Sequence, residues 1–117
     1  MKRTDYALKI IECCRKREEI LINDEPMWKY NRYFDRMRVH ARKLIDENRQ
    51  EELLPYLDND SISIRKDVAG LLYHCYPEKC THVLNAVVNN SDVPSCFSIV
   101  KVDARQALRH GIPKNYP

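Results

Sequence analysis

Glycine is nearly missing from this chain: only Gly70 and Gly111 occur in 117 residues. With so few residues free to take left-handed backbone, glycine-cradled phosphate loops and repeated tight turns are disfavoured, and helices are favoured. Long apolar runs are absent too. None approaches the ~18 residues of a membrane span, so no membrane partner is expected. The opening MKRTDYALKII is basic, but it lacks a long apolar stretch and a small-residue cleavage site, and is not read as a signal peptide. The five cysteines (Cys13, Cys14, Cys75, Cys80, Cys96) include no CxxC pair and are odd in number. Together with the missing leader, this points to reduced thiols and a cytoplasmic setting. Nor is there a nucleophile beside a placed base. The serines fall in turns and caps, the histidines stand in no recognisable motif, and no carboxylate pair is singled out by its context. An enzyme is therefore not expected, and no cofactor is implied.

What is present is ordinary for a globular domain, with 44% hydrophobic and 32% charged residues. The length fits one domain, 1–117, able to bury a core without disulfides or metals. The net charge of +3 is unevenly spread: residues 1–49 carry a surplus of four positive charges, and the remainder carries one negative charge in excess. Such an asymmetry suits two faces with different partners better than a uniformly basic nucleic-acid binder.

Helical spacing runs through the chain in order. Thr4 or Asp5 can cap a first helix to about residue 22, with Tyr6, Ile10, Cys13, Cys14, Ile20 and Leu21 on one side. Asn23, Asp24 and Glu25 before Pro26 signal the start of a second helix, to about residue 48. Met27, Tyr30, Phe34, Met37, Ala41 and Leu44 give it an apolar seam, with Ile45 alongside. Arg38 and Arg42 have acidic neighbours at helical spacing in Asp35 and Asp46. A short third helix over 49–57 contains Pro55 and presents Leu53, Leu54 and Leu57. Asp58, Asn59, Asp60 and Ser61 make a turn, and a fourth helix places Ile64, Val68, Leu71, Leu72 and Cys75 inward. Gly70 in its middle costs about 1 kcal/mol relative to alanine, which points to close approach of a neighbouring helix. Pro77 and Glu78 open a fifth helix with Cys80, Val83, Leu84, Val87 and Val88 inward. The last helix begins at Pro94 or Ser95, carries Phe97, Val100, Ala104, Ala107 and Leu108 on one side, and is capped by Gly111. The β-formers in FSIVKV would have no partner strand, so helix is preferred there.

Leu53-Leu54-Pro55-Tyr56-Leu57-Asp58, then Ile64-Arg65, then Ala69 and Leu72, resembles a HEAT repeat. In that family a leucine-rich first helix precedes an Asp-containing turn, and a β-branched residue followed by Arg opens the second helix. The resemblance implies an all-α fold of five to six helices in stacked antiparallel pairs. Residues 1–49 would form two N-terminal helices and 50–111 two HEAT-like pairs. It also implies that Asp58 and Arg65 bridge turn and helix. The chain as a whole, with YNRYFDRM in the second helix, is similar to a small bacterial family of single-domain HEAT-like proteins. Helical repeats expose extended surfaces suited to holding another macromolecule. DNA glycosylases built from HEAT-like repeats are about twice this length, which sets that activity aside.

Three candidate sites follow. The acidic set Asp58, Asp60, Asp67, Glu78 and Asp92 suits a basic protein partner, although each residue also has an ordinary capping or solvating role. Resemblance in size and fold suggests an immunity or antitoxin-type inhibitor, whose partner would be a cognate toxin. The alternative is nucleic-acid binding through Lys29, Arg32, Arg36, His40 and Lys43, a basic stripe opposite the apolar seam of the second helix and without acidic compensation. Trp28 beside it would serve as an aromatic platform. The bland reading of that stripe is a solvated helix face. Finally, His74, Cys75, Cys80 and His82 are metal-ligand types, but their spacing matches no familiar zinc pattern and the cysteines already have core roles, so no metal is expected.

Overall fold

Asp5 begins the first helix: its carboxylate accepts the Leu8 amide proton at 3.0 Å, and α1 (Tyr6–Ile22) follows. The computed structural model describes residues 3–117, so the basic start Met1-Lys2 lies outside the described residues. Four more helices succeed: α2 (Met27–Asp46), α3 (Ile62–Leu72), α4 (Pro77–Asn89) and α5 (Ser98–His110). Among the described residues there is no strand, and the chain is all-α. The FSIVKV segment is helical apart from Phe97, which closes a short 3-10 turn (Ser95–Phe97). No helix of the described residues is long and apolar enough to cross a membrane.

Scarce glycine is compensated at two helix ends. Asp24 (φ 52°) and Asn48 (φ 57°) take the left-handed position after α1 and α2, a conformation their short polar side chains tolerate. Gly111 (φ 76°) does the same after α5, donating its N–H to the Ala107 carbonyl at 2.8 Å. Pro26 lies at the cap of α2 rather than inside it.

Sequence neighbours pack on one another: α1 on α2, α3 on α4, α4 on α5, with α1 and α5 also against α3. One buried cluster draws on all five helices, including Ile10, Met37, Leu44, Val68, Leu72, Leu84 and Val100, in a molecule of 44 × 30 × 24 Å. Cys14 sits within it, its thiol 3.5 Å from the Met37 sulfur, and burial pushes that thiol's pKa up.

Several local expectations are corrected. The short third helix is two 3-10 turns, Gln50–Glu52 and Leu54–Asp58, with Pro55 in the first turn of the second, where its missing amide proton breaks no helical ladder. Leu53 and Leu57 are buried and Leu54 half-buried. Met27 is exposed, since the seam of α2 reaches the core only from Tyr30 onward. Cys75 lies past the end of α3 and is half-buried. Gly70 is not a helix crossing: a Cβ there would meet only the Tyr116 hydroxyl, at an ordinary 3.9 Å. Arg38 and Arg42 do not pair with Asp35 or Asp46. The Arg38 guanidinium lies over the Phe34 and Tyr116 rings, and Arg42 donates to the carbonyls of Asn115 and Pro117. With the Phe34–Tyr116 stack, these contacts hold residues 115–117 against α2.

Candidate functional site

The five acidic residues do not form one surface. Asp67 is corrected outright: it is a helix residue of α3, 3% exposed, and takes no part in a loop. Its Oδ1 accepts from Arg17 Nη1 of α1 at 2.5 Å and from Lys66 Nζ at 2.9 Å. Arg17 Nε also donates to the Tyr30 carbonyl of α2 at 3.3 Å, and its guanidinium lies 3.8 Å from the centre of the Tyr30 ring. Lys66 Nζ reaches Asp103 of α5 at 3.2 Å. One buried charge network thus joins α1, α2, α3 and α5. Burial alone would raise the Asp67 pKa, but Lys66 and Arg17 hold it below the ordinary carboxylate value.

Asp58 and Glu78 do converge. They line an open groove of about 740 Å3 between the Leu54–Asp58 turn and α4, together with Glu51, a third carboxylate that the sequence reading missed. The floor is apolar, with Leu54, Pro55, Leu57 and Val83, and Lys79 and His82 complete the lining. Glu51, Asp58 and Glu78 are exposed and, among the described residues, carry no ion-pair partner. Asp60 is exposed at the following turn, where its carbonyl and that of Asn59 accept from Arg65 at 3.3 and 2.8 Å. The bridge implied between Asp58 and Arg65 is therefore made to backbone carbonyls instead. Asp92 is exposed in the α4–α5 loop, its amide tied to Asn90 Oδ1 at 3.0 Å, and does not line the groove.

The basic stripe is broken up by packing. Trp28, Lys29, Arg32 and Arg36 line a groove of about 310 Å3, which also holds Lys16, Tyr33, Glu19 and Glu25. Contrary to the expectation of no compensation, Lys29 pairs with Glu25 at 2.9 Å, while Lys16 meets Glu19 at 3.5 Å. Arg32 and Arg36 are exposed without an ion-pair partner among the described residues, and Arg36 lies over the Tyr33 ring at 5.0 Å. Trp28 is 60% exposed. His40 is half-buried and lies outside this groove, as does exposed Lys43. Burial first, then Lys9 and Lys43, lower the His40 pKa.

His74, Cys75, Cys80 and His82 are drawn apart in role. His74 Nε2 donates to the Pro113 carbonyl at 2.7 Å, Cys80 is buried with its thiol pushed up to about 12, and His82 faces the acidic groove. Among the described residues no group of three or more His, Cys, Asp or Glu is placed to hold a metal ion. Comparison with protein-family models, curated proteins and solved structures finds no match for this chain.

Proposed function

We propose that the chain is a protein-binding module that receives a basic segment of its partner in the groove lined by Glu51, Asp58 and Glu78. One observation carries this reading: three exposed carboxylates without ion-pair partners stand over an apolar floor in a single open groove. The apolar floor supplies affinity through burial, and the acidic rim favours lysine- and arginine-rich surfaces and speeds their approach. Lys79 is the one cationic side chain lining the groove, so its field stays acidic. The partner class we assign is a basic protein, and the biological role is that of an immunity or antitoxin-type inhibitor occluding a nuclease-like toxin.

The test begins with the protein encoded beside this chain, co-purified and then presented to it in measured amounts. Changing Glu51 and Glu78 to Gln and Asp58 to Asn should slow association about tenfold at low salt, with the gap closing as salt rises. Stoichiometric chain should also abolish the partner's toxicity. Unchanged association after the triple substitution sinks the reading.

Nucleic-acid binding is the second reading, and exposed Trp28 beside unpaired Arg32 and Arg36 favours it. Glu19 and Glu25 in the same groove count against it, because they repel phosphate and neutralise Lys16 and Lys29. A gel-shift complex lost on changing Arg32, Arg36 and Lys43 to Gln, with a salt slope reduced accordingly, would reverse the ranking.

A further inference from the structure

Three of the six large apolar side chains that stand exposed among the described residues, Ile22, Met27 and Trp28, gather where α1 turns into α2. Ile22 and Met27 line a depression at that turn, and Trp28 lines the neighbouring basic groove. An exposed tryptophan with arginines beside it has the composition of a binding hot spot. Trp28, Arg32 and Arg36 follow one another at four-residue steps, so α2 presents them as one strip about 12 Å long. The acidic and basic grooves are also matched in charge. Glu51, Asp58 and Glu78 set against Lys79 leave the acidic groove two negative charges. Lys16, Lys29, Arg32 and Arg36 set against Glu19 and Glu25 leave the basic groove two positive charges. The two grooves share no lining residue, one being built on α1 and α2, the other on the 3-10 turns and α4.

We infer, resting on the acidic groove being a site for basic segments, that a second copy of this chain occupies it through the strip Trp28, Arg32 and Arg36. The arrangement is a helix face laid in a groove. The Trp28 ring goes to the apolar floor of Leu54, Pro55, Leu57 and Val83, and the two guanidiniums go to the carboxylates around it. Two positive charges then meet two negative ones, and no charge is left over at the contact. Within its own molecule Trp28 is exposed, and Arg32 and Arg36 have no ion-pair partner among the described residues. The counterpart must therefore come from another molecule. The two surfaces are unlike, so the contact closes reciprocally in a two-fold pair or continues head to tail. In either form a partner's basic segment and a second copy compete for one groove.

Sedimentation velocity of the reduced full chain, with no partner present, tests this. At about 0.1 M salt the sedimentation coefficient should rise with protein concentration, and at about 1 M salt the rise should disappear. Two triple variants each block one surface: Trp28→Ala with Arg32→Gln and Arg36→Gln, and Glu51→Gln with Asp58→Asn and Glu78→Gln. All six residues are exposed, so the fold is left intact. Each variant alone should self-associate at least about tenfold more weakly than wild type. Mixed in equal amounts, they should form a one-to-one dimer and nothing larger, since each supplies the surface the other lacks. A wild-type chain that stays monomeric at about 0.1 M salt overturns the inference, and the partner assay of the groove still gives its own separate result. Variants that self-associate as wild type does place the contact elsewhere and overturn it as well. So does a mixture that stays monomeric.

Discussion

Arg17 falls among Ile10, Cys14 and Leu21 on the buried face of α1, and Asp67 falls between Ile64 and Leu71 on that of α3. Each occupies a position where helical spacing calls for an apolar side chain, and each is kept there by the other. Removing one partner from such a pair strands the rest, so Asp67→Asn should cost about 3–5 kcal/mol in urea unfolding at neutral pH. The pH dependence follows from the sign of the shift. The folded-state pKa of Asp67 lies below its ordinary value. Its stabilisation is therefore complete above the ordinary carboxylate range and is lost as pH falls through the folded value, below about pH 4. The gap between wild type and Asp67→Asn should accordingly narrow on acidification, and a constant gap would refute the pairing. Leu72, fully buried at the end of the same helix, should cost about 2–5 kcal/mol of stability on change to alanine. Gly70 has the opposite expectation. Space is available and its backbone is helical, so Gly70→Ala should stabilise by about 0.5–1 kcal/mol in the same assay.

At the scale of elements, the start of α3 is the joint that decides how α1 meets the second half. Ser61 accepts the Ile64 amide proton at 3.2 Å and donates to the Glu18 carboxylate of α1, serving as cap and tether at once. Ser61→Ala should therefore cost about 1–2 kcal/mol, at the upper end for a cap, in thermal or urea unfolding. A loss confined to a few tenths would mean that the tether is broken by solvent. Residues 113–117 form no helix, yet they are held by aromatic stacking and by hydrogen bonds to the Pro113, Asn115 and Pro117 carbonyls. Arg38 and Arg42 have thus exchanged the local acidic partners that helical spacing offers for contacts across the fold.

For the whole molecule, the uneven charge becomes two separate grooves of different character. The acidic one carries Glu51, Asp58 and Glu78 around apolar side chains, and the basic one is half-neutralised by Glu19 and Glu25. Salt distinguishes them. Exposed charges act over about 10 Å at 0.1 M salt, so a partner steered to the acidic groove should associate more slowly as salt rises, and the arginine substitutions should leave that rate nearly unchanged. Stopped-flow association at two salt concentrations with both sets of substitutions measures this directly.

The positions of the five helices were legible in the amino-acid order, because caps, prolines and the 3.6-residue spacing of apolar side chains are local properties. So were the buried Leu72, Leu84 and Val100, and the helical state of the β-rich run after Cys96. Local spacing also placed Asp58 and Glu78 at the surface, but it counted Asp67 with them and did not single out Arg17, although both are buried. Partnership was not legible. Arg17 and Asp67 are 50 residues apart, and Arg42 is 75 residues from Pro117, and no periodicity reports which distant side chains will meet. Only the packing of helices around a common core decides that, since it sets the distances on which Coulomb and hydrogen-bond energies depend. It brought Glu51 to Asp58 and Glu78, took Asp67 out of the surface set, and laid Tyr116 over Gly70.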